Sequence, residues 1–235
     1  MQKNTIFYKN NFLIYGFGKS GYASYKFLCK KNNCKIIDDK SKNIPLKYKH
    51  KTINYKSLKK NNFDFIVLSP GIDINSCKLS AYLKKNSSKI ITELDIFYLS
   101  YPRIKKITIT GTNGKSTTSK LLYDILKEHR KDVRLTGNIG SPTLLETNLN
   151  SNTLFVIEAS SYQLEYSKFF KSEYSMILNL SPDHLERHGN FKNYIKAKFK
   201  LIQSQSKNSY AFIEKKNYLL NNLIIKNKIE SKICR

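Results

Sequence analysis

Residues 106–117 read KITITGTNGKST, a β-rich run that leads into a loop with two glycines, a lysine and three hydroxyl side chains. A helix is predicted to follow, from Thr118 to Glu128. Strand, glycine loop and helix in this order gather backbone N–H groups, an ammonium and a hydroxyl around one point, as β- and γ-phosphates with Mg²⁺ require. The glycine spacing is shorter than in the common GxxxxGK phosphate loop, because position 109 is Ile109, and an ordinary Gly-Asn turn is the alternative. The predicted phosphate contacts are Gly111, Thr112, Asn113, Gly114, Lys115, Ser116 and Thr117.

Acidic and imidazole side chains follow two later apolar runs. Leu154 to Ile157 is a predicted strand that ends in Glu158, and a carboxylate at such a strand tip can hold Mg²⁺. A solvated strand end is the alternative for this residue, but the phosphate loop in the same domain favours the metal role. A further strand is predicted from Tyr174 to Leu180, and His184 follows it after a Ser-Pro turn. Imidazole is an uncommon ligand for Mg²⁺, so the residues alone leave His184 as a loop histidine.

The predicted helix at 191–203 contains a misplaced charge. At 100° per residue one arc is apolar and the opposite arc is polar. The apolar arc contains Phe191, Tyr194, Ile195, Ala197, Phe199, Leu201 and Ile202, and the polar arc contains Lys192, Lys196, Lys200 and Gln203. Lys198 falls within the apolar arc. A buried ammonium is costly, so this lysine is expected to be paired, deprotonated or converted by CO₂ into a carbamate that could bind metal, unless it snorkels past the core.

A second strand, glycine loop and helix unit lies nearer the N-terminus. The predicted strand Phe12 to Tyr15 leads into GFGKSG at 16–21 and a helix from Tyr22 to Lys30, which fits a GxGxxG site for a dinucleotide or another diphosphate nucleotide. A glycine turn without a ligand is the alternative. Later predicted strands, 35–37 and 63–68, end in Asp38-Asp39 and in Ser69-Pro70-Gly71.

Alternation of strands and helices predicts an α/β protein with two parallel-sheet domains. The first, Rossmann-like, is expected over residues 1–100 and the second, a phosphate-loop nucleotide-binding domain, over residues 101–235. The last thirty residues or so contain no motif and no obvious closing element.

Composition excludes several classes of protein. The 235 residues carry a formal net charge of +25, but 37 lysines stand against 5 arginines and are scattered through a chain with 24 asparagines, which argues against a nucleic-acid site. The apolar runs are too short for a membrane helix, and the N-terminus does not resemble a signal peptide. The four cysteines lack zinc-site spacing and are expected to be reduced thiols in a cytoplasmic protein.

Seven segments in order along the chain resemble the Mur ligases. They are Gly16 to Gly21, Ser69 to Ile72, Thr110 to Thr117, Gly137 to Gly140, Glu158 to Glu165, Asn179 to His184 and Tyr194 to Lys198. The GTNGKST loop is common to Mur and folylpolyglutamate-type ligases, whereas SSYQLE and SPGI are similar to the members that add D-glutamate.

This resemblance implies a three-domain, ATP-dependent enzyme of peptidoglycan precursor synthesis. Its first domain holds the UDP end of UDP-N-acetylmuramoyl-L-alanine, its central domain holds ATP, and a third domain, which this sequence lacks, brings the amino acid. The resemblance therefore also implies a fragment or a truncated product. The reaction phosphorylates the terminal carboxylate of the substrate, and the D-glutamate amine then attacks the acyl phosphate. The expected state is a cytoplasmic monomer.

Roles carried over from the family fall on matching residues. Lys115, His184 and Lys198 are expected to be catalytic. Ser116 and Glu158 are expected to bind one Mg²⁺, and His184 with carbamylated Lys198 a second. The expected UDP-substrate contacts are Gly16, Gly18, Ser20, Gly21, Asp38, Ser69, Pro70, Gly71, Asn138 and Ser160.

Three alternatives remain open. A nicotinamide-dependent dehydrogenase explains the first glycine loop but not the second. A non-catalytic remnant that binds UDP-sugar or ATP is compatible with the missing domain, as is another amide ligase of the Mur type.

Overall fold

A computed structural model of the chain describes residues 6–40, 44–129 and 132–235. Its contacts divide the described residues into two compact units. The N-terminal unit comprises the described part of Gln2–Tyr101 together with Tyr166–Lys168, and the C-terminal unit comprises Pro102–Glu165 and Phe169–Arg235.

The N-terminal unit is built on a four-stranded parallel sheet with the order β2-β1-β3-β4. Its strands are β1 (Asn11–Tyr15), β2 (Asn33–Ile37), β3 (Phe65–Leu68) and β4 (Ile90–Ile91), and its helices are α1 (Lys19–Leu28), α2 (Ser80–Lys85) and α3 (Glu93–Ser100), with 3-10 turns at Leu46–Lys51, Tyr55–Lys60 and Ser87–Lys89. Successive strands lie on opposite sides of β1, so a crevice opens at the carboxyl end of β1, where the first glycine loop begins.

The C-terminal unit has a six-stranded parallel sheet with the order β10-β9-β8-β5-β7-β6. Its strands are β5 (Lys105–Thr110), β6 (Val133–Gly137), β7 (Leu154–Glu158), β8 (Tyr174–Ile177), β9 (Tyr210–Ile213) and β10 (Lys232–Cys234). Its helices are α4 (Lys115–His129), α5 (Ser161–Glu165), α6 (Leu185–His188), α7 (Phe191–Gln203) and α8 (Tyr218–Lys226), with a 3-10 turn at Thr143–Leu145. Here β5 lies between β7 and β8, so the second glycine loop also lies at a point where the strand order reverses.

The α/β fold class with parallel sheets is confirmed, but some element boundaries differ from the predictions. The helix predicted from Tyr22 begins at Lys19, and the helix predicted from Thr118 begins at Lys115, because both glycine loops lead directly into a helix. The strand predicted to reach Leu180 ends at Ile177. Beyond it the chain turns toward the second glycine loop, where the side chain of Asn179 hydrogen-bonds to the backbone.

The absence of a closing element near the C-terminus was a wrong prediction. Residues 210–234 form β9, α8 and β10, which extend the sheet beyond β8. Buried Ala211, Ile213, Leu220 and Ile224 belong to one apolar cluster. The signal is weak in the sequence because β9 has only two buried positions and β10 is three residues long.

Helix α7 has the predicted bounds and the predicted amphipathic pattern. Lys192, Lys196 and Gln203 are exposed, while Lys198 is buried among the apolar residues of the opposite arc. Within the described ranges, no helix is long and apolar enough to cross a membrane.

Candidate functional site: a phosphate loop beside a buried lysine and a buried glutamate

The second glycine loop is fastened to the segment that follows β8. The Thr112 N–H donates to the Asn179 carbonyl at 3.0 Å, and the Asn113 N–H donates to Asn179 Oδ1 at 2.8 Å. In return, Asn179 Nδ2 donates to the Asn113 carbonyl at 3.0 Å. Gly114 has φ +80°, a conformation that side chains rarely adopt. The loop is thus preformed around the N-terminus of α4.

Thr112 shapes this loop. Its Oγ1 lies 3.2 Å from the Ser181 carbonyl and 3.0 Å from the Tyr194 hydroxyl, and it accepts the Ser181 N–H at 3.0 Å. Its polar atoms are therefore engaged within the protein. Asn113, Gly114, Ser116 and Thr117 are exposed, so these predicted phosphate contacts are open to a ligand.

Lys115 is half-buried at the first position of α4 and curls over the loop. Its Nζ donates to the Thr112 carbonyl at 2.8 Å. An ammonium has three protons, so two remain for phosphate oxygens. Together with the helix N-terminus, this arrangement suits a polyphosphate group.

Glu158 ends β7 beside the strand that carries the loop, in register with Ile109 of β5. Its side chain is fully buried. Oε1 accepts a hydrogen bond from Asn138 Nδ2 at 2.7 Å, whereas Oε2 has no hydrogen-bond partner among the described residues. A buried carboxylate oxygen without a partner is costly, and a cation would offset that cost.

A magnesium ion fits this donor set. No group of three or more His, Cys, Asp or Glu side chains is assembled for a metal within the described ranges. Mg²⁺ does not need such a cage, because it commonly binds through one or two carboxylates, retained waters and substrate phosphates. The unpaired oxygen of Glu158 and the exposed hydroxyl of Ser116 provide oxygen ligands of that kind.

Lys198 extends from α7 to the start of the loop and is only 1% exposed. Its Nζ donates to the Gly111 carbonyl at 2.8 Å, lies 3.3 Å from Thr110 Oγ1 and lies 4.7 Å from the Tyr194 ring centroid. Burial and, to a smaller extent, the neighbouring Lys115 ammonium lower the pKa of Lys198 to about 7, against the opposing effects of Asp183 and Glu158. A substantial neutral fraction therefore exists at pH 7, and the neutral amine is the form that reacts with CO₂.

His184 lies at the exposed start of α6 with φ +51°, in the left-handed region. Its Nε2 is 3.4 Å from Asp183 Oδ2 and its Nδ1 is 3.7 Å from Glu186 Oε1. Its ring packs against Tyr162 at a centroid distance of 4.9 Å. Two carboxylates thus face the imidazole that the family resemblance names as a metal ligand.

Two of the predicted substrate contacts support neighbouring residues in this unit. Ser160 and Gln163 form a reciprocal cap on α5: the Gln163 N–H donates to Ser160 Oγ at 3.2 Å, and the Ser160 N–H donates to Gln163 Oε1 at 2.9 Å. The Asn138 amide is engaged with Glu158. Asn138 is nevertheless exposed as a residue, and its backbone N–H donates to the Glu158 carbonyl at 2.9 Å.

The first glycine loop is closed by polar contacts within the N-terminal unit. Ser69 Oγ donates to the Gly16 carbonyl at 2.7 Å, and Asp38 Oδ2 accepts the Phe17 N–H at 2.6 Å. A Cβ at Gly21 would lie 1.9 Å from the Gly16 carbonyl oxygen, so only glycine permits this approach of α1 to the loop. Gly18 borders open space, Ser20 and Pro70 are half-buried, and Gly71 is exposed.

A cleft of about 580 Å³ lies beside this loop in the N-terminal unit. Asp38 lines it together with Ile37, Lys49, Asn54 and Tyr55. Asp39 Oδ1 accepts hydrogen bonds from the Tyr15 hydroxyl at 2.9 Å and the Tyr55 hydroxyl at 2.6 Å. One carboxylate thereby ties the cleft wall at Tyr55 to the end of β1.

Three contributors to the second site were missing from the predicted site residues. Asn179 holds the loop, Tyr194 contacts both Thr112 and Lys198, and Asp183 acts electrostatically on Lys198. Asn179 and Asp183 follow a strand that neighbours β5, and this position at the carboxyl edge was a usable signal. Tyr194 occupies an apolar helix position, and the sequence pattern does not reveal its hydroxyl contact.

Comparison with known proteins identifies the family of this chain. Residues 109–234 match the Mur ligase middle domain. The chain is 37% identical over 213 residues to the UDP-N-acetylmuramoylalanine–D-glutamate ligase of Rickettsia bellii, covering 89% of this chain and 47% of that protein. It is 34% identical over 225 residues to the enzyme of the same name from Caldicellulosiruptor saccharolyticus, covering 90% and 49%. The chain thus spans about half the length of these relatives.

Solved structures share the fold. The UDP-N-acetylmuramate:L-alanyl-gamma-D-glutamyl-meso-diaminopimelate ligase from Neisseria meningitides superposes with a TM-score of 0.61 at 13% identity, covering 96% of this chain and 77% of that one. A murein peptide ligase from Psychrobacter arcticus gives 0.54 at 14% identity, covering 96% and 53%. The predicted resemblance, including that to the D-glutamate-adding members, is confirmed, and this chain belongs to the Mur ligase family.

Proposed function

We propose that this chain acts in the ATP-dependent joining of D-glutamate to UDP-N-acetylmuramoyl-L-alanine, as part of peptidoglycan precursor synthesis. The names of its relatives support this reaction. ATP would activate the terminal carboxylate of the substrate as an acyl phosphate, with Mg²⁺ neutralising phosphate charge. We include in the proposal a cytoplasmic monomer that binds neither nucleic acid nor membrane.

The observation that carries the proposal is the buried, unpaired oxygen of Glu158 beside the phosphate loop. A structural carboxylate at this depth is normally paired. Its strand pairs with the strand that carries the loop, so a metal bound by Glu158 would be near phosphates held there. A glycine turn without a ligand gives no account of this orphaned oxygen.

In the C-terminal unit, different residues bind the phosphates and the metal ions. Lys115 and the amides at the start of α4 bind the phosphates, and Ser116 with Glu158 hold one metal ion. His184 and carbamylated Lys198 hold the second. No protein nucleophile is needed, because positioning and charge neutralisation accelerate this kind of transfer.

The N-terminal unit holds the UDP end of the substrate in this proposal. The loop at 16–21, the turn at Ser69-Pro70-Gly71 and Asp38 line the binding region. Asn138 and Ser160 are proposed to lie near the muramoyl-peptide end of the substrate, where their side chains also support Glu158 and α5.

Calorimetric titration tests this assignment. The chain is titrated with UDP-N-acetylmuramoyl-L-alanine and, separately, with a non-hydrolysable ATP analogue and Mg²⁺. Lys115→Ala is expected to weaken the analogue by about 100-fold, because it removes the ammonium from the phosphates. The affinity for the UDP substrate should not change.

Lys120→Ala is the matched control, since Lys120 lies on the same helix but is exposed and paired with Asp124. Equal losses in both variants would mean that general positive charge, not the loop, binds the nucleotide. A folded chain that binds neither ligand would contradict the proposal. Binding of both ligands, but no ADP formation when ATP, Mg²⁺, the UDP substrate and D-glutamate are supplied together, would favour a non-catalytic binding protein.

A further inference from the structure

Two very short helices of the C-terminal unit are joined by paired contacts, which we call the α5–α6 clasp. His188 Nε2 lies 3.0 Å from Ser161 Oγ, and Arg187 forms an ion pair with Glu165 at 2.9 Å. Ser161 and Glu165 are four residues apart on α5, while Arg187 and His188 end α6. Helices of four or five residues are not stable alone, so these contacts determine their position.

The histidine contact of the clasp is buried. Ser161 and His188 are 1% and 5% exposed. Burial lowers the pKa of His188, and Arg187, His184 and Lys198 act in the same direction, while Glu165 opposes them. Its Nδ1 lies 3.9 Å from Glu165 Oε1. In the tautomer protonated at Nδ1, Nε2 accepts the hydroxyl proton of Ser161.

The clasp joins the segments that carry two proposed metal ligands. α5 begins three residues after Glu158 at the tip of β7. His184 precedes α6, and its carbonyl accepts the N–H groups of Arg187 and His188, both at 3.1 Å. A left-handed conformation at a histidine is strained, so surrounding contacts have to maintain it.

An aromatic contact connects the same groups. The Tyr162 ring, next to Ser161, packs against both His184 and His188, with centroid distances of 4.9 and 5.7 Å. A shift of His188 would therefore reach His184 by two routes, through the backbone of α6 and through this ring.

We infer that His188 is a positioning residue: its hydrogen bond to Ser161 holds His184 in the orientation that metal binding beside Glu158 requires. The part of this inference that concerns metal binding rests on the proposed function, whereas the part that concerns the orientation of His184 does not. His188 itself contacts neither metal nor substrate in this assignment. Its effect passes through Ser161, the backbone of α6 and the Tyr162 ring.

The first test measures orientation without metal. Imidazole ¹⁵N spectra of the whole chain are compared for wild type, Ser161→Ala, His188→Leu and His188→Gln. Ser161→Ala is expected to shift and broaden the His184 signals, although Ser161 is not among the groups that contact His184. His188→Gln retains an acceptor for Ser161 and should preserve the wild-type His184 signals. Unchanged His184 signals in Ser161→Ala and His188→Leu would overturn the inference.

The second test measures metal binding. Mn²⁺ affinity is determined by electron paramagnetic resonance with a saturating ATP analogue. His188→Leu and Ser161→Ala are each expected to lower it about 10-fold, as loss of an orienting contact does, and the double variant should be no weaker than either alone. His129→Leu, at an exposed histidine on α4, is the matched control.

The outcomes separate the inference from the proposed function. If wild type binds no Mn²⁺ but His184 shifts as expected, the proposed metal site fails while the positioning role stands. If His188→Leu weakens the binding of the ATP analogue measured without metal as much as it weakens Mn²⁺ binding, His188 only supports the fold and the inference is wrong. The inference is also wrong if His188→Gln restores neither the His184 signals nor the Mn²⁺ affinity.

Discussion

The two glycine loops occupy equivalent places in their sheets and differ in where charge lies. Each follows a central strand, each precedes a helix, and each lies where the strand order reverses. Around the first loop, Ser69 and Asp38 satisfy backbone groups, and no lysine is buried among the described residues of that unit. Around the second, Lys198 and Glu158 are both buried. The same backbone turn is therefore proposed to serve shape-based binding in one unit and charge-based chemistry in the other.

The largest expected effect concerns the packing of the first loop. Gly21→Ala places a methyl group 1.9 Å from a backbone oxygen and is expected to cost at least about 3 kcal/mol of unfolding free energy. Gly18→Ala, where nothing lies within 4 Å, should cost less than about 1 kcal/mol. Urea unfolding measures both. Equal costs would mean that close approach does not define this loop.

The next effect concerns the buried carboxylate of the second loop. Glu158→Gln should reduce Mn²⁺ affinity by on the order of 100-fold in the presence of an ATP analogue, because it removes the anionic metal ligand. Stability should not fall, since the variant no longer buries a charge. Glu214→Gln, at an exposed glutamate, serves as the control. If Glu158→Gln retained its Mn²⁺ affinity, the buried carboxylate would not bind the metal, and the proposed chemical difference between the two loops would be wrong.

A smaller effect is expected on pH dependence. The pKa of Lys198 is about 7 in the folded chain against an ordinary value of 10.5. Between these values the unfolded chain binds a proton that the folded chain lacks, so this lysine makes stability rise with pH across that window. Lys198→Met should flatten that rise in bicarbonate-free buffer, whereas Lys196→Met, exposed on the same helix, should not. Parallel curves for Lys198→Met and wild type would contradict the buried neutral amine.

The smallest effect concerns the cleft near the first loop. Tyr55→Phe removes one of two phenol hydrogen bonds to Asp39 and is expected to cost about 1 kcal/mol of stability. UDP affinity should fall by a few-fold if Tyr55 shapes the cleft wall. Tyr8→Phe is the control, because that ring is exposed outside the cleft. Identical unfolding curves for the two variants would show that this contact contributes nothing.

The site residues that could be predicted from the sequence are those whose residue type is unusual at its position. The two glycine loops, Glu158 at a strand tip and Lys198 on an apolar arc were identified because each departs from its surroundings. The clasp residue His188 was missed because its partner Ser161 lies 27 positions away, and such pairing depends on how two turns pack. Likewise β9 and β10 were missed because short strands at a sheet edge bury few side chains.

Within the eight residues from Glu158 to Glu165, the spacing between side chains is fixed by their contacts. Glu158 contacts Asn138, Ser160 caps its own helix, Ser161 contacts His188, and Glu165 contacts Arg187. These partners belong to three different segments, so a length change of one residue would move every later side chain away from its partner. Insertions and deletions should therefore be tolerated in the exposed turn around Ser151 and Asn152. They should not be tolerated in this segment, so its length is constrained as strongly as its composition.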